Sequence, residues 1–549
     1  MREKVKLTAN ILFSGIGCQE RGFQDSGLFD IEVLNTSDIN KESVLSYAAI
    51  HCGMTNEMVK TYTDYPSREE MAQYLTEINL GYEPEKNKYF DWFKLIKKKN
   101  KDLEKYWLAC KLTHNLGDIS RIEELPYADF WTVSFCCQDI SVAGKMKGLK
   151  PDSGTRSSLL WDNIKLLSKA KYNGTLPKYI MFENVKNLVS KKFIGDFNDL
   201  IDVLDELGFN SYWQVINGKD CGVPQSRERV FVISIRKDID MGKYTFPMPF
   251  DTGIRLKDII EEVVNEKYYL SGEKVQEFLE TIDLNKFHRN SNELEQVGYI
   301  NNYNGDVNRI YSDNIARTLK SEAGGGGAKT GWYLTENEIQ KVGRLNSSQE
   351  GVVISPEGIS PTHTAGHGNT HKIISVGQAS NEESQAGEVN SPEVVSQTIC
   401  ACTHGYAIGN ILDYVRVRKL TPREAWRLMG LTFEDCDKAA ELGVADTHLY
   451  KQAGNGIITN CCELLAEHLY KAQYDNTYIC TDERYAEFYQ ATSRVNFACG
   501  KKPIILGCVY KNDGQYLSGR GAVYDIDYIA PTILTMSGGG NKPFILIDK

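Results

Sequence analysis

The N-terminal segment constrains the fold most, because an apolar strand leads directly into a tight glycine turn and then a helix. The strand is Ala9 to Phe13, the turn is Ser14-Gly15-Ile16-Gly17, and the helix is Gln19 to Gln24. Glycines at such a junction let backbone N–H groups and a helix N-terminus approach a ligand closely. A second strand ends in Asp38, where nucleotide-binding sheets hold ribose hydroxyls. Asp38 could equally cap the following helix.

A cysteine follows another buried strand. Phe130 to Val133 is apolar and β-branched, and the polar, glycine-containing stretch after it predicts an exposed loop that carries Cys137. In open α/β sheets, ligands lie outside the carboxyl ends of the strands, so this position suits a nucleophile. A buried structural cysteine is the alternative that this stretch alone leaves open.

Further polar residues follow strand-like segments. Asp118 in the segment LGDISRI is predicted to end a strand and either to contact a cofactor base or to cap a turn. Glu183 follows the strand Tyr179 to Phe182, and Arg227 and Arg229 lie between two further strands. Each of these charged groups alone could be an ordinary surface ion pair.

Composition sets broad limits. A chain of 549 residues is too long for one core and predicts several domains. No apolar run approaches the ~20 residues of a membrane span, and the N-terminus lacks a signal peptide, so we expect a cytoplasmic protein without membrane partners. Fourteen cysteines without a CxxC pair indicate reduced thiols. His363, His367 and His371 lie in a segment unlike a helix, and no metal site is expected.

The net charge of −10 argues mildly against a nucleic-acid partner, which usually requires a basic surface. Residues 55–111 form a predicted helical insertion, with apolar residues from Phe90 to Ile96 at helical spacing. Its run KLIKKKNKDLEKYW is most simply a solvated helix face, and a phosphate-contacting surface is the alternative.

Six short motifs occur in a fixed order: FSGIG, SFCCQDIS, ENV, QSRERVF, RKLTPREAWRLMG and QAGNGI. In order and spacing the chain resembles the cytosine-5 DNA methyltransferase family, of the restriction-modification or bacteriophage type, over residues 8 to 472. The resemblance implies an α/β fold, a Rossmann-like sheet with an inserted, mainly β target-recognition domain. It assigns residues 1–238 and 413–473 to the catalytic domain and 239–412 to the recognition domain. Residues 474–549 form a C-terminal extension.

The resemblance also implies S-adenosylmethionine as the cofactor and assigns the site residues. The cofactor would be lined by Phe13, Gly15, Gly17, Asp38, Ile39, Asp118, Ile119 and Asn455. Ile39 stands where relatives often stack an aromatic ring on adenine. Cys137 would attack carbon 6 of cytosine, Glu183 would bond ring nitrogen 3 and the exocyclic amine, and Arg227 and Arg229 would orient the base carbonyl and Glu183.

Three positions depart from the family pattern. Cys136 stands where relatives usually have proline, which predicts a less rigid loop and raises the question of which cysteine attacks. We assign the attack to Cys137, because the segment after it keeps the family register. Ile11 and Cys18 replace a common aspartate and glycine, and weaker cofactor binding is the most that they imply.

Four similar segments repeat in the C-terminal half. Each pairs a β-branched residue with a threonine three residues later, at Ile315/Thr318, Ile359/Thr362, Val395/Thr398 and Ile529/Thr532, after a Val-Gly or Leu-Gly pair. They predict either stacked β-units or several DNA-recognition modules. The acidic character of residues 243–410 requires the basic residues there, such as Arg309, Arg317, Lys320, Lys329 and Arg344, to cluster toward DNA.

These features predict a monomeric, sequence-specific enzyme acting on double-stranded DNA, with any cognate restriction endonuclease acting separately. Two other functions stay open: methylation of a tRNA cytosine, and DNA binding without turnover. The large insert favours DNA. Methylation of an exocyclic amino group is disfavoured, because the chain has no (D/N)PP(Y/F) segment.

Overall fold

The computed structural model describes residues 3–83, 88–134, 159–269, 291–301, 305–320, 330–336 and 416–478, together with short strands within 341–390 and 505–545. The chain divides into two compact units. The first comprises Met1–Gly222, Glu228–Thr252 and Met429–Lys549, and the second comprises Val223–Arg227 and Gly253–Leu428. These limits lie C-terminal to the boundaries at 239 and 413 that the resemblance suggested, and the assignment of domains to functions stays a prediction.

The first unit is built on a six-stranded sheet. Its strands are β1 Val5–Leu12, β2 Phe29–Ser37, β5 Phe130–Val133, β6 Tyr179–Val185, β7 Phe209–Asn217 and β9 Glu228–Arg236. They lie in the order β2-β1-β5-β6-β9-β7, and β9 alone runs against its neighbours. The predicted α/β fold with a mostly parallel sheet is therefore confirmed.

Helices cover both faces of this sheet, because the side chains of a strand alternate between its faces. Trp131 and Val133 lie in a cluster with residues of α6 Leu159–Tyr172 and α7 Ile194–Leu207. On the other face Phe130 stacks on Phe23 with ring centres 4.5 Å apart. The helices of the first unit are α1 Cys18–Asp25, α2 Lys41–His51, α3 Asn56–Thr61, α4 Arg68–Glu77, α5 Asp102–Leu112, α6, α7, α9 Phe433–Glu441, α10 Asp446–Asn455 and α11 Thr459–Tyr474.

The predicted insertion contains α3, α4 and α5 and a two-residue hairpin, β3 Tyr82–Glu83 with β4 Lys88–Tyr89. The apolar spacing from Phe90 to Ile96 predicted an α-helix, and this prediction was wrong. The segment forms only a 3₁₀ turn, at Trp92–Leu95. The rings of Phe90 and Trp92 contact each other at 4.7 Å. Residues two apart do not face each other on a helix, so this packing requires extended backbone.

Among the described residues, the second unit contains one four-stranded sheet and three two-stranded ones. The four-stranded sheet has the order β10-β11-β13-β18, formed by Gln296–Tyr299, Arg309–Tyr311, Trp332–Glu336 and Arg416–Lys419. One of the two-stranded sheets pairs β8 Gln225–Ser226 with β12 Ala316–Arg317. The helix α8 Pro422–Arg427 follows β18.

The four repeats share one hairpin geometry. In each hairpin the residue before the repeat glycine (Val297, Val342, Val376 or Leu506) is skipped in the strand pairing, which is a β-bulge. The second, third and fourth hairpins are β14 Lys341–Arg344 with β15 Val352–Ile354, β16 Ser375–Gln378 with β17 Glu388–Asn390, and β19 Ile505–Cys508 with β22 Ala522–Tyr524.

The first and fourth copies share a third strand as well. β13 pairs in parallel with β11, and β23 Phe544–Ile545 pairs in parallel with β22 in the same way. β20 Lys511–Asn512 and β21 Gln515–Tyr516 lie within the fourth copy. The threonines of the later copies lie outside the described residues, as do His363, His367 and His371.

Within the described part of the chain, no helix is both long and apolar enough to cross a bilayer. No group of three or more His, Cys, Asp or Glu side chains in that part is arranged to hold a metal ion.

Candidate active site

The glycine turn after β1 has an open side and a closed side. Phe13, Gly15 and Gly17 all have positive φ, at 55°, 55° and 81°. A Cβ on Gly17 would lie 2.1 Å from His51 Nε2 and 2.8 Å from Glu20 Oε1, whereas a Cβ on Gly15 would meet no atom of the described residues within 4 Å. Position 17 therefore requires glycine for space as well as for conformation. Phe13, which is not glycine, is strained, and such strain is frequent at functional sites.

Asp38 is fixed against this turn. Its Oδ2 accepts a hydrogen bond from Gly15 N at 2.9 Å, and its Oδ1 accepts one from Asn40 N at 2.7 Å. Burial raises the pKa of Asp38, and these two hydrogen bonds oppose that rise. The side chain that caps α2 is Asn40, which accepts from Ser43 N at 3.0 Å, and not Asp38.

Asp118 does not end a strand, contrary to the sequence prediction. It caps a 3₁₀ turn, Ile119–Arg121, after a loop that leaves α5. The reason is Gly117, whose φ is +73° and whose Cβ position would lie 1.9 Å from Ile78 O, so that the chain turns sharply there. Ile119 is buried in the core cluster.

Four donors surround the Asp118 carboxylate. Oδ1 accepts from Ser120 N and Ser120 Oγ, at 3.1 and 2.8 Å. Oδ2 accepts from Asn79 Nδ2 at 3.1 Å and from the Tyr89 hydroxyl at 3.0 Å. Burial by itself would raise the pKa of Asp118, but these hydrogen bonds outweigh it, and the pKa falls below its ordinary value.

One side chain that the sequence analysis missed joins the two aspartate segments. Asn115 accepts from Asp38 N at 2.9 Å and donates to Asp38 O at 3.0 Å. The Asn115 amide thus makes the two hydrogen bonds that a neighbouring strand would otherwise make to the main chain just after β2. Nothing in the sequence marks Asn115, because an asparagine near a glycine is ordinary in loops.

Ile39 and Asn455 complete the residues predicted to contact the cofactor. The Ile39 carbonyl accepts from Gly81 N at 2.7 Å, which attaches the base of the β3–β4 hairpin to this position. Asn455 is the last residue of α10, and its side chain is exposed.

β1 and β5 end side by side at the carboxyl edge of the sheet, next to the C-terminal half of β6. Leu12 pairs with Val133, and Val133 pairs with Phe182. The glycine turn follows Leu12 directly, and Glu183 follows Phe182. Cys137 is four residues beyond Val133 and, like Cys136, lies outside the described residues.

Glu183 forms an ion pair with Arg229. Arg229 Nε lies 3.1 Å from Glu183 Oε1, and both side chains are largely buried. The two residues are diagonal neighbours on antiparallel strands, since Glu183 faces Phe231 and Val185 faces Arg229 in the register. Diagonal positions lie on the same face of a sheet, so this geometry holds the carboxylate in one orientation.

Arg227 belongs to the second unit, unlike Arg229. It is 2% exposed, and its Nη1 donates to Leu319 O at 3.2 Å. The preceding β8 strand is held in the same unit, because Thr318 Oγ1 donates to Ser226 O at 2.6 Å and Gln225 Oε1 accepts from Leu319 N at 3.3 Å. The sequence did not indicate that two arginines two residues apart belong to different units.

Comparison with known proteins identifies the family. The sequence profile of C-5 cytosine-specific DNA methylases matches residues 67–471. The chain belongs to the C-5 cytosine-specific DNA methylase family. This DNA methylase is 32% identical to the type II methyltransferase M2.ScrFI of Lactococcus lactis subsp. cremoris, over 84% of the chain and 98% of that protein. It is 28% identical to the orphan methyltransferase M.Rho11sI of Bacillus phage rho11s, with the same coverage of both chains.

A third relative matches over a shorter part. The orphan methyltransferase M.SssI of Spiroplasma monobiae is 31% identical over 54% of this DNA methylase and 74% of that protein. The enzyme is therefore a DNA cytosine-5 methyltransferase, as the ordered motifs predicted. The roles of its individual site residues stay predictions.

Proposed function

We propose that this DNA methylase transfers a methyl group from S-adenosylmethionine to carbon 5 of a cytosine within specific sequences of double-stranded DNA. The observation that supports this most is the ion pair between Glu183 on β6 and Arg229 on β9. β6 adjoins β5, the strand that precedes Cys137 in the chain. A charged pair held at the carboxyl edge of the sheet is well suited to orient a polar base.

The residues at the glycine turn fit S-adenosylmethionine. In the part of the chain that the structure describes, no atom lies within 4 Å of a Cβ on Gly15, so that part leaves the backbone accessible to a ligand. The Asp38 carboxylate accepts two hydrogen bonds out of about four that a carboxylate can accept, which leaves acceptors for ribose hydroxyls. Phe13, Gly17, Ile39, Asp118, Ile119 and Asn455 complete the proposed set. When bound, this cofactor supplies an electrophilic methyl group.

Cys137 is the proposed nucleophile. Its thiolate forms a bond to carbon 6 of cytosine, and the electron pair of the 5,6 double bond becomes available at carbon 5, which takes the methyl group. Loss of the carbon 5 proton then lets the bond to sulfur break and restores the aromatic ring. A free thiol is only a few per cent ionised at neutral pH, so the site has to favour the thiolate.

Glu183 is proposed to bond nitrogen 3 and the exocyclic amine of the base. Protonation of nitrogen 3 as the thiolate adds avoids a carbanion, a contribution of roughly 10²- to 10⁴-fold in rate. Arg229 orients Glu183 through the ion pair. Arg227 is proposed to orient the base carbonyl.

The base has to leave the duplex, because the thiolate and the methyl donor approach the faces of the ring, which the neighbouring base pairs cover in the stack. Unstacking costs a few kcal/mol. We propose further that the enzyme acts as a monomer on double-stranded DNA, and that a cognate restriction endonuclease, where one exists, acts separately.

A fluorinated substrate tests this mechanism. Fluorine at carbon 5 blocks the final elimination, so a duplex with 5-fluorocytosine in the target site should trap wild-type enzyme as a covalent adduct when S-adenosylmethionine is present. The Cys137→Ser variant should form none, and the Cys136→Ser variant should form as much as the wild type. An adduct that depends on Cys136 would reverse the assignment of the nucleophile.

Tritiated methyl transfer to DNA and to tRNA separates the other functions. Incorporation into DNA alone supports the proposal. Preferential incorporation into tRNA would favour the RNA substrate, and DNA binding without incorporation would indicate a silent homologue.

We also propose that the four repeats are separate DNA-recognition modules. The support is their shared bulged hairpin, and the parallel third strand common to the first and fourth copies. An enzyme that recognises several DNA sequences with one catalytic domain needs several recognition modules that share a fold and differ in their side chains. The structural alternative is a set of units that only pack on each other.

Bisulfite sequencing of DNA methylated by the protein distinguishes these alternatives. Modules predict more than one methylated motif. The Gly507→Val and Gly377→Val variants, each altered beside the bulge of one hairpin, should each lose a different motif and keep the others. A single motif in the wild type would contradict the proposal.

A further inference from the structure

The β3–β4 hairpin of the insertion is attached to two residues predicted to contact adenine. Gly81 N donates to Ile39 O at 2.7 Å where the hairpin begins. Tyr89, at its other end, donates its hydroxyl to Asp118 Oδ2 at 3.0 Å. A third connection is Asn79 Nδ2, 3.1 Å from the same oxygen. The hairpin is thus held to both positions by direct hydrogen bonds.

Tyr89 presents an aromatic ring at this place. The side chain is 40% exposed although its hydroxyl is engaged, and its ring centre lies 5.2 Å from that of Tyr82 across the hairpin. Ile39 offers no aromatic surface. Adenine stacks well on an aromatic side chain, because both the base and the side-chain ring have π-faces. The exposed ring of Tyr89 is available for such a contact.

The Asp118 carboxylate is saturated without a ligand. Its four donor contacts use about all the lone pairs that a carboxylate has. An exocyclic amine of a purine could bond Asp118 only by replacing one of these donors. Ser120 also bonds Asp118 through its backbone N–H, and Asn79 is buried. Tyr89, by contrast, is 40% exposed and lies on a two-residue strand.

We propose that Tyr89 is a cofactor-binding residue that exchanges its hydrogen bond to Asp118 for the adenine amine and supplies the aromatic wall that Ile39 lacks. This rests on the proposed use of S-adenosylmethionine. Burial, with the Asp118 charge adding to it, raises the pKa of Tyr89 to about 12, so the hydroxyl is a donor at neutral pH. The insertion therefore takes part in the cofactor site.

The test is calorimetric binding of S-adenosylhomocysteine and S-adenosylmethionine to the full-length protein. Tyr89→Ala removes the ring and should weaken both ligands about tenfold, the size of a lost base–aromatic stack. Tyr89→Phe keeps the ring and removes the competing hydroxyl, so it should tighten both by roughly three- to tenfold.

An analogue of S-adenosylhomocysteine whose purine lacks the exocyclic amine isolates the exchange. It cannot replace the hydroxyl, so Tyr89→Phe should leave its affinity unchanged. Tyr127 is a matched control, because it is 41% exposed and its hydroxyl donates to Asp129 Oδ1 at 2.8 Å. Tyr127→Phe and Tyr127→Ala should bind all three ligands as the wild type does.

The outcomes are distinct. Wild-type affinity in Tyr89→Ala, or weaker binding by Tyr89→Phe of the ligands that carry the amine, would overturn the role of Tyr89 while the proposed cofactor stands. A wild type that binds neither S-adenosylmethionine nor S-adenosylhomocysteine would overturn both.

Discussion

Asn115 and Asp38 are joined by two hydrogen bonds, through which the side-chain amide of Asn115 pairs with both main-chain polar groups of Asp38. The pair ties the end of β2 to the loop that carries Asp118. Because the Asp38 side chain in turn accepts from Gly15 N in the glycine turn, three of the segments proposed to bind the cofactor are connected through hydrogen bonds between side chains and main chain.

Replacing Asn115 should loosen this connection. Asn115→Asp removes the donor to Asp38 O and places a second carboxylate beside Asp38, so we expect the free energy of unfolding to fall by about 2 kcal/mol. Affinity for S-adenosylhomocysteine should fall as well. Urea unfolding and calorimetry measure the two effects, and Asn173→Asp, at an exposed position, is the control. Unchanged affinity would show that Asn115 does not position Asp38.

The glycine turn gives a second prediction. Gly17→Ala combines an unfavourable φ with a Cβ 2.1 Å from His51 Nε2, and should abolish binding of S-adenosylhomocysteine. Gly27 also has positive φ, at 69°, but a Cβ there would meet no atom within 4 Å among the residues that the structure describes. Gly27→Ala should therefore cost only the backbone strain, about 1–2 kcal/mol. Equal losses of affinity in the two variants would contradict a specific role for the contact at position 17.

Arg229 should act through Glu183 and affect the rate more than substrate binding. Arg229→Gln removes the charge 3.1 Å from Glu183 Oε1, and we expect the rate constant for methyl transfer to fall by at least about 10²-fold. Single-turnover transfer of a tritiated methyl group measures it. Arg236→Gln, at the far end of the same strand, breaks the ion pair with Asp238 and should keep the rate. A drop confined to DNA affinity would argue against the proposed role.

His468 should make stability depend on pH. Burial lowers the pKa of His468 to about 4, and the positive charge of Lys471 acts in the same direction. The unfolded chain takes up this proton near pH 6.5, before the folded chain does, so the stability from a neutral His468 is present above pH 6.5 and is lost as pH falls toward 4. The loss amounts to about 3 kcal/mol.

Urea unfolding between pH 7 and pH 4 tests this dependence. The His468→Gln variant, whose amide can donate to or accept from the Thr245 hydroxyl, should lack that part of the pH dependence. The exposed His114 serves as the control, and His114→Gln should follow the wild-type curve. A wild-type slope in His468→Gln would mean that other groups cause the acid sensitivity.

Local sequence patterns predicted the sheet well, because buried strands and glycine turns have strong signals over a few residues. The predicted strand from Ala9 is part of β1, which ends one residue earlier than expected, at Leu12. The strand predicted from Tyr179 to Phe182 begins where expected but continues through Glu183 to Val185. Asp118 was placed wrongly at a strand end, because its position depends on the close approach of Gly117 to Ile78, which are far apart in sequence.

The other residues that the sequence did not reveal act through long-range contacts. Asn115 reaches Asp38 across 77 residues, and Tyr89 reaches Asp118 across 29. Neither side chain belongs to a motif. Cys137 is the residue whose role the motif order predicted most directly. It lies outside the described residues, so its place in the site rests on the sequence alone.

The pairing of β8 with β12 has a consequence for protein engineering. Residues 223–227 are separated in sequence from the rest of their unit, yet they contribute a strand to it. A chimera that imports only residues 253–428 from a relative would set a foreign β12 against the native β8. Transplanting the complete second unit between such enzymes therefore calls for two crossover pairs, one of them enclosing a five-residue cassette.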